Sequence, residues 1–189
     1  MEQQQSEYLQ KFEQTLAESL TKYASERKLL GGYLFTVEEL DETWRSCAPD
    51  YMGDAVPQIA DYPLAAIAWA AYFGIGAALM WDKETLKDQE NAYLKLRDAR
   101  GFDEMDEYIT EVLLCLPLGS EGANKLEDLI RSTAERALSL IRKEQVEAQS
   151  VMAFHVFART TKVMFDAGVA VQLRRMGYNY VKVNADVVN

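Results

Sequence analysis

The sequence predicts an all-α, single-domain bundle of six to eight helices, and three observations carry that prediction. The twenty residues from Tyr62 to Trp81 carry no charge, as a helix enclosed by protein on every side would. The segments around them repeat apolar residues at spacings of three and four with charged residues between, the pattern of amphipathic helices. Long stretches, above all Ala123 to Ala167, contain neither Gly nor Pro. At 189 residues the chain is read as one domain over 1–189, large enough to bury a core without disulfides or metal.

Tyr8, Phe12, Leu16, Leu20 and Tyr23 define the buried stripe of a first helix, with Lys11, Glu13, Glu18 and Lys22 on its other sides and Gly31-Gly32 as its expected end. Thr36-Val37-Glu38-Glu39 reads as a capping box in which Thr36 caps and Glu39 reaches back. Val37, Leu40, Trp44 and Cys47 then form the buried stripe of helix two. Pro49 and Pro57 should limit the next section to a short helix around Asp50 to Ala55, because proline removes a donor and clashes with the preceding turn. Asp61 is the expected cap of the apolar helix, with Pro63 in its first turn.

From Pro63 to Trp81 small residues recur at Ala66, Ala70, Gly74 and Ala78, beside a stripe of Trp69, Phe73, Gly76 and Met80. That four-residue spacing admits a closely packed neighbour helix. A mostly polar helix over Glu84 to Ala99, with Leu86, Tyr93, Leu94 and Leu96 as its apolar contacts, is expected on the surface and should stop at Gly101. Asp103 opens the next helix, whose apolar set of Met105, Tyr108, Ile109, Val112, Leu113 and Leu116 runs to Pro117-Leu118-Gly119.

Ser120 begins a further helix. One straight helix over the 45 residues from Ala123 to Ala167 would be about 68 Å long, whereas a compact chain of this length has a radius of gyration of about 16 Å. A break is therefore expected among Arg142 to Ser150, where apolar periodicity fades. Before it the stripe is Leu126, Leu129, Ile130, Thr133, Ala137, Leu138 and Ile141. After it come Phe154, Phe157, Thr161, Met164, Phe165 and Gly168, ending near Met176-Gly177. Tyr33 to Val37 and Tyr178 to Val183 are the two β-prone runs, and they could pair as a minor two-stranded ribbon.

The charge-free stretch is long enough to span a bilayer, with Tyr62 and Trp81 at its ends. Its composition argues against a membrane, because nine of the eighteen residues from Leu64 to Trp81 are Ala or Gly, which gain little on leaving water. The flanks, Asp54 and Asp61 before it and Asp82, Lys83 and Glu84 after it, lack the one-sided Lys and Arg excess that orients a span. Thirty acidic against twenty basic side chains leave a net charge of -10, which repels phosphate backbones and argues against nucleic-acid binding. Two distant cysteines, Cys47 and Cys115, and the absence of a charged-then-apolar leader before Tyr8 lead to the expectation of a reduced, cytoplasmic location.

Chemistry is narrowed by a single histidine. His155 has Met152 three residues before it, so neither a Glu-x-x-His di-iron pair nor an HExxH zinc site is present. Glu38-Glu39-Leu40-Asp41-Glu42 is similar to the first half of the metal site of all-α nucleoside triphosphate pyrophosphohydrolases, but the Glu-x-x-Asp half is missing from the next helix. Those acids, and Asp103-Glu104-Met105-Asp106-Glu107, are explained by the preference of helix starts for negative charge. No GxSxG, P-loop or GxGxxG occurs. No catalytic residue, metal ligand or cofactor is therefore assigned. The remaining place for a ligand is the aromatic and acidic border of the apolar helix: Trp44, Asp54, Tyr62, Trp69, Tyr72, Trp81 and Asp82, with Tyr51 beside them. Aromatic walls with carboxylates suit an amphipathic or cationic molecule.

The segment Tyr51-Met52-Gly53-Asp54-Ala55-Val56-Pro57-Gln58-Ile59-Ala60-Asp61-Tyr62-Pro63, continuing into Ala68-Trp69-Ala70, resembles a motif in small uncharacterised helical proteins of Bacteroides-type bacteria. The resemblance covers about a fifth of the chain, implies a bacterial helical protein and transfers no activity. The leading functional expectation is a non-catalytic protein that binds a protein partner, as an adaptor, an immunity-like inhibitor or a homo-oligomer. The alternative is a small-molecule-binding or divalent-metal-dependent helical enzyme using carboxylates, and a third class is membrane attachment.

Overall fold

A computed structural model describes residues 3–83 and 91–179. It is an all-α bundle, with seven α-helices among the described residues: α1 (Gln3–Glu26), α2 (Glu38–Gln58), α3 (Pro63–Asp82), α4 (Ala92–Arg97), α5 (Met105–Glu107), α6 (Glu121–Lys143) and α7 (Val151–Arg175). A 3-10 turn at Phe102–Glu104 leads into α5, and a π-helical stretch at Tyr108–Leu113 leaves it.

The charge-free segment forms α3, which packs against α2, α4, α5, α6 and α7. Every residue from Ala70 to Ala78 is buried, and no face of the helix is polar. It is the one described helix long and apolar enough to cross a bilayer, and 67% of its apolar window is buried inside the fold. Its main partner is α7. The two backbones meet where side chains are absent: a Cβ on Gly74 would collide with the Phe165 carbonyl, and one on Gly168 with the Ala71 carbonyl. Gly74 is one of the four small residues predicted to admit a neighbour, and Gly168 answers it from the partner helix.

Around this pair α1 contributes Leu9, Phe12, Leu16 and Leu20, and α6 contributes Leu126, Ile130, Ala134 and Ala137. Aromatic rings fill the space between α2, α3, α4 and α7. Trp44 lies against Phe165 at 4.9 Å between ring centroids, Tyr51 stacks on Phe73 at 6.1 Å, and Tyr93 meets Phe73 edge-on at 5.5 Å. Such offset and edge contacts add to area burial.

Several boundaries differ from the sequence reading. α1 ends at Glu26, before Gly31-Gly32, because Lys28 takes a left-handed conformation at φ 60° and the Leu29 amide bonds back to the Ala24 carbonyl. Thr36 does not cap α2: the cap is Val37 with no side-chain bond, and the Thr36 hydroxyl donates to the Val37 carbonyl instead. α2 runs unbroken through Pro49 and Pro57. A helix-interior proline costs about 3 kcal/mol, whereas burying one large apolar side chain returns about 1.5–3 kcal/mol, and Trp44, Cys47, Tyr51, Met52 and Ala55 are all buried on this one helix. Packing outweighs the break.

Tyr62, not Asp61, occupies the N-cap of α3 and makes no side-chain cap bond, while Pro63 takes the first-turn position as expected. Within the predicted helix over Glu84 to Ala99, residues 84–90 lie outside the described residues. α4 lies at the surface as expected, with Ala92, Tyr93 and Leu96 buried on its inner face, but Leu94, expected as an apolar contact, is exposed. After α5 the helix widens, with the Leu114 amide bonding to Ile109 and the Leu116 amide to Thr110. Val112 consequently turns outward and is exposed, as is Phe154 near the start of α7. The break between α6 and α7 falls within Arg142 to Ser150, with Gln145 and Gln149 both at positive φ. Ser120 and Ser150 cap the two helices by accepting from the Ala123 and Ala153 amides. No strand occurs among the described residues. Tyr33 to Val37 is irregular, and the larger part of its expected ribbon partner, residues 180–183, lies outside the described residues.

Candidate functional site

The border residues singled out from sequence do not converge on one chamber. Trp44 and Tyr51 are core residues, and the Tyr51 hydroxyl donates to the Ala66 carbonyl at 2.6 Å. Asp54 ties α2 to α4, accepting from the Tyr93 hydroxyl at 2.7 Å with Arg97 Nε 3.0 Å from the same oxygen. Burial, then the bond to Asp54, pushes the Tyr93 hydroxyl far above its ordinary range. Tyr62 is exposed at the N-terminus of α3. Trp69 packs edge-on against Phe102 at 4.7 Å. At the far end of α3, Trp81 contacts the Tyr178 ring at 5.5 Å, and Asp82 accepts from the Tyr178 hydroxyl at 2.9 Å.

The interior is filled. The cavity between α1, α3, α6 and α7, lined mostly by apolar side chains such as Leu20, Leu30, Ala71, Ile75, Ile130 and Val171, with Thr133 among them, has about 20 Å³ of free space, about enough for one water. What is open to solvent is shallow and polar. One such feature is a groove of about 510 Å³ between α1 and α7, lined by Ser6, Gln10, Glu13, Gln14, Ala17, Leu34, Arg159, Val163 and Asp166.

Charge at that groove is organised by two cations, Arg159 and Lys162, which make three ion pairs. Arg159 Nη1 lies 2.6 Å from Glu13 Oε2, joining α7 to α1. Lys162 Nζ lies 2.9 Å from Asp41 Oδ1 and 2.6 Å from Asp166 Oδ1, joining α7 to α2. Burial pushes the Asp166 carboxyl up to about 6, and the Asp41 and Glu13 carboxylates push the same way while Lys162 opposes them. Burial pulls the Lys162 ammonium down, but Asp166 and Asp41 outweigh it and its net shift is upward. The Arg159–Glu13 and Lys162–Asp41 pairs span 146 and 121 positions of sequence, which no local pattern announces, whereas Lys162 and Asp166 are an ordinary i, i+4 pair on one helix.

A second polar recess, of about 200 Å³, lies where the π-helical stretch meets α6, with Tyr72, Asp106, Thr110, Asn124 and Glu127 on its walls. Burial raises the Asp106 carboxyl, partly offset by hydrogen bonding from the Trp69 indole and the Glu107 amide. Burial and the Asp106 and Glu127 charges raise Tyr72. In the sequence Asp106 is only one of several helix-start acids. The indole that meets it is 37 residues away, and only the fold reveals the pairing. Among the described residues no three His, Cys, Asp or Glu side chains converge to hold a metal ion.

Fold and surface together define an all-helical bundle with a solid aromatic interior and charged, shallow grooves. No family model, curated protein or solved structure matches the chain.

Proposed function

We propose that this chain is a non-catalytic, acidic helical protein that binds a protein partner, as an adaptor, an immunity-like inhibitor or a self-associating subunit. The observation that carries the reading is the contrast between a filled interior and the broad polar groove between α1 and α7. A small-molecule site is normally a concave, mostly apolar pocket that covers most of its ligand. A shallow groove of glutamines and paired charges instead suits the polar contacts of a protein interface, where complementary charge sets register and encounter rate. The net charge of -10 favours a basic partner.

Cys47, buried, and Cys115, exposed, form no disulfide, which fits a reducing cytoplasm. Kinship with small helical proteins of Bacteroides-type bacteria belongs to the same proposal and rests on the Tyr51 to Pro63 segment.

The test is capture from the source cells with the wild-type chain and with a Gln10→Arg, Gln14→Arg variant, which fills the groove and changes its charge, alongside light scattering of both. A partner, or a dimer, that forms with the wild type and is lost in the variant supports the reading. A wild-type monomer that retains nothing beyond what the variant retains contradicts it.

A further inference from the structure

Where α1, α2 and α7 meet, the carboxylates of Glu13, Asp41 and Asp166 share two cations. Glu13 takes Arg159 Nη1 at 2.6 Å. The single Lys162 ammonium is divided between Asp41 Oδ1 at 2.9 Å and both oxygens of Asp166 at 2.6 and 2.7 Å. One negative charge is therefore left over, and it lies where water screens it poorly, since the Asp166 side chain is only 21% exposed. A carboxylate fully matched by cations titrates below its ordinary value. Asp166 is instead pushed up to about 6, first by burial, with Asp41 and Glu13 adding to it and Lys162 opposing.

The groove that opens onto this charge is rich in acceptors. Asp166 faces it from α7 and Glu13 from α1, with Gln10 and Gln14 on the same side of α1. The Gln14 amide nitrogen already donates to Glu18 Oε1 at 2.9 Å, so Gln14 offers its carbonyl. Lys162 takes one direction at each Asp166 oxygen, whereas a carboxylate accepts about four hydrogen bonds. Ala17, Leu34 and Val163 supply the apolar part of the lining, which suits the methylene stem of a long cationic side chain. Among the described residues the carboxylates do not converge as a metal ion requires, which leaves an organic cation. At about 510 Å³ the groove is wider than a compact ammonium needs, and a guanidinium brings five donors in one plane.

From this charge balance we propose that the partner inserts an arginine into the groove, its guanidinium on the Asp166 and Glu13 carboxylates and its stem against Ala17, Leu34 and Val163. The inference rests on the reading of the groove as a partner-binding surface and adds the partner's anchor. Charge-assisted hydrogen bonds of this kind are the stronger ones, and the inserted cation brings the two signs at the crossing into balance. Lys162 faces Asp166 from its own helix, Glu13 from α1 and Asp41 from α2. The guanidinium binds the ionised carboxylate, so association should strengthen as pH rises through 6.

The experiment is a titration of the full chain with N-acetyl-arginine amide, its lysine counterpart and the neutral isostere N-acetyl-citrulline amide, followed at the amide resonances of Gln14, Ala17 and Val163. The arginine probe should saturate, bind about tenfold more tightly than citrulline, and bind about tenfold more tightly at pH 7 than at pH 5. Asp166→Asn, with its fold checked by urea unfolding, should lose both the tighter binding and the pH dependence, and Glu13→Gln should weaken the probe as well. Glu121→Gln removes one charge from α6, which does not line the groove, and should bind as the wild type does. An equal loss in Glu121→Gln would show attraction by net charge alone and overturn the proposal. Shifts that do not saturate, equal binding of citrulline, or the same affinity at both pH values would overturn it too. Lysine binding as tightly as arginine would overturn the choice of a guanidinium. The titration needs no partner, so the two readings fail separately. A bound probe with nothing captured from the source cells supports the cation site and contradicts the partner reading, whereas a captured partner that excess arginine probe cannot release contradicts the anchor alone.

Discussion

Gly74 and Gly168 set the distance between the two central helices, and each faces a backbone carbonyl that cannot rotate away. Adding a methyl group at either position should destabilise the fold by about 3 kcal/mol, at the upper end of overpacking costs, because backbone and not a flexible side chain must yield. Urea unfolding of Gly74→Ala and Gly168→Ala checks this, with Gly53→Ala, where an added Cβ meets nothing within 4 Å, as the control expected to be neutral or better. Gly74 was legible in the sequence as part of a small-residue repeat. Its partner Gly168 was only one member of an apolar stripe, since no spacing tells which residue of a distant helix it will meet.

Asp166 makes a second prediction at this scale. Its carboxyl rises from an ordinary 3.8 to about 6 in the fold, so the folded state binds a proton more tightly than the unfolded chain. The contribution to stability is largest below pH 3.8 and is lost as pH rises through 6. Between pH 7 and pH 5 the wild type should therefore gain about 1 kcal/mol that Asp166→Asn, which cannot titrate, does not gain. Lys162, Asp41 and Glu13 face this carboxyl, and Asp106 is also shifted upward by burial. The measurement is accordingly the difference between the two proteins across pH. Parallel stability profiles would show that Asp166 titrates normally.

At the scale of elements, α6 and α7 depend on defined caps. Ser120 and Ser150 each accept from the amide three residues on, and replacing either with Ala should cost about 1 kcal/mol, readable as a lower unfolding midpoint. Thr36→Ala should change stability much less, because its hydroxyl bonds to the Val37 carbonyl and leaves the α2 amides alone. These helices show what local sequence can and cannot convey. Ser120, Pro63 and the fading periodicity between Arg142 and Ser150 are local signals, and each marks a real boundary. The passage of α2 through Pro49 is invisible locally, because what offsets the proline is burial of Trp44 and Tyr51 against Phe73 and Phe165. Removing the proline should accordingly help: Pro49→Ala restores a backbone donor and is expected to raise the urea midpoint.

For the whole molecule, the class of fold followed from the charge-free run and the amphipathic segments around it. The residues chosen as a ligand border did not come together, because an apolar helix of 20 residues carries its two ends about 30 Å apart. Tyr62 and Trp81 therefore belong to different surfaces. The Arg159–Glu13 and Lys162–Asp41 pairs depend on contacts between distant positions, beyond what periodicity reveals. Net charge was legible, but its distribution was not. Assembly places paired charges along the groove between α1 and α7.

The central claim is that α3 is shielded from solvent by its own chain. Amide hydrogen exchange in detergent-free buffer tests it most directly, read at Ala70 to Ala78. If the account holds, these amides exchange slowest in the molecule and only through global unfolding. Exchange as fast as at the exposed ends of α1, or protection that appears only when lipid or detergent is added, would contradict it.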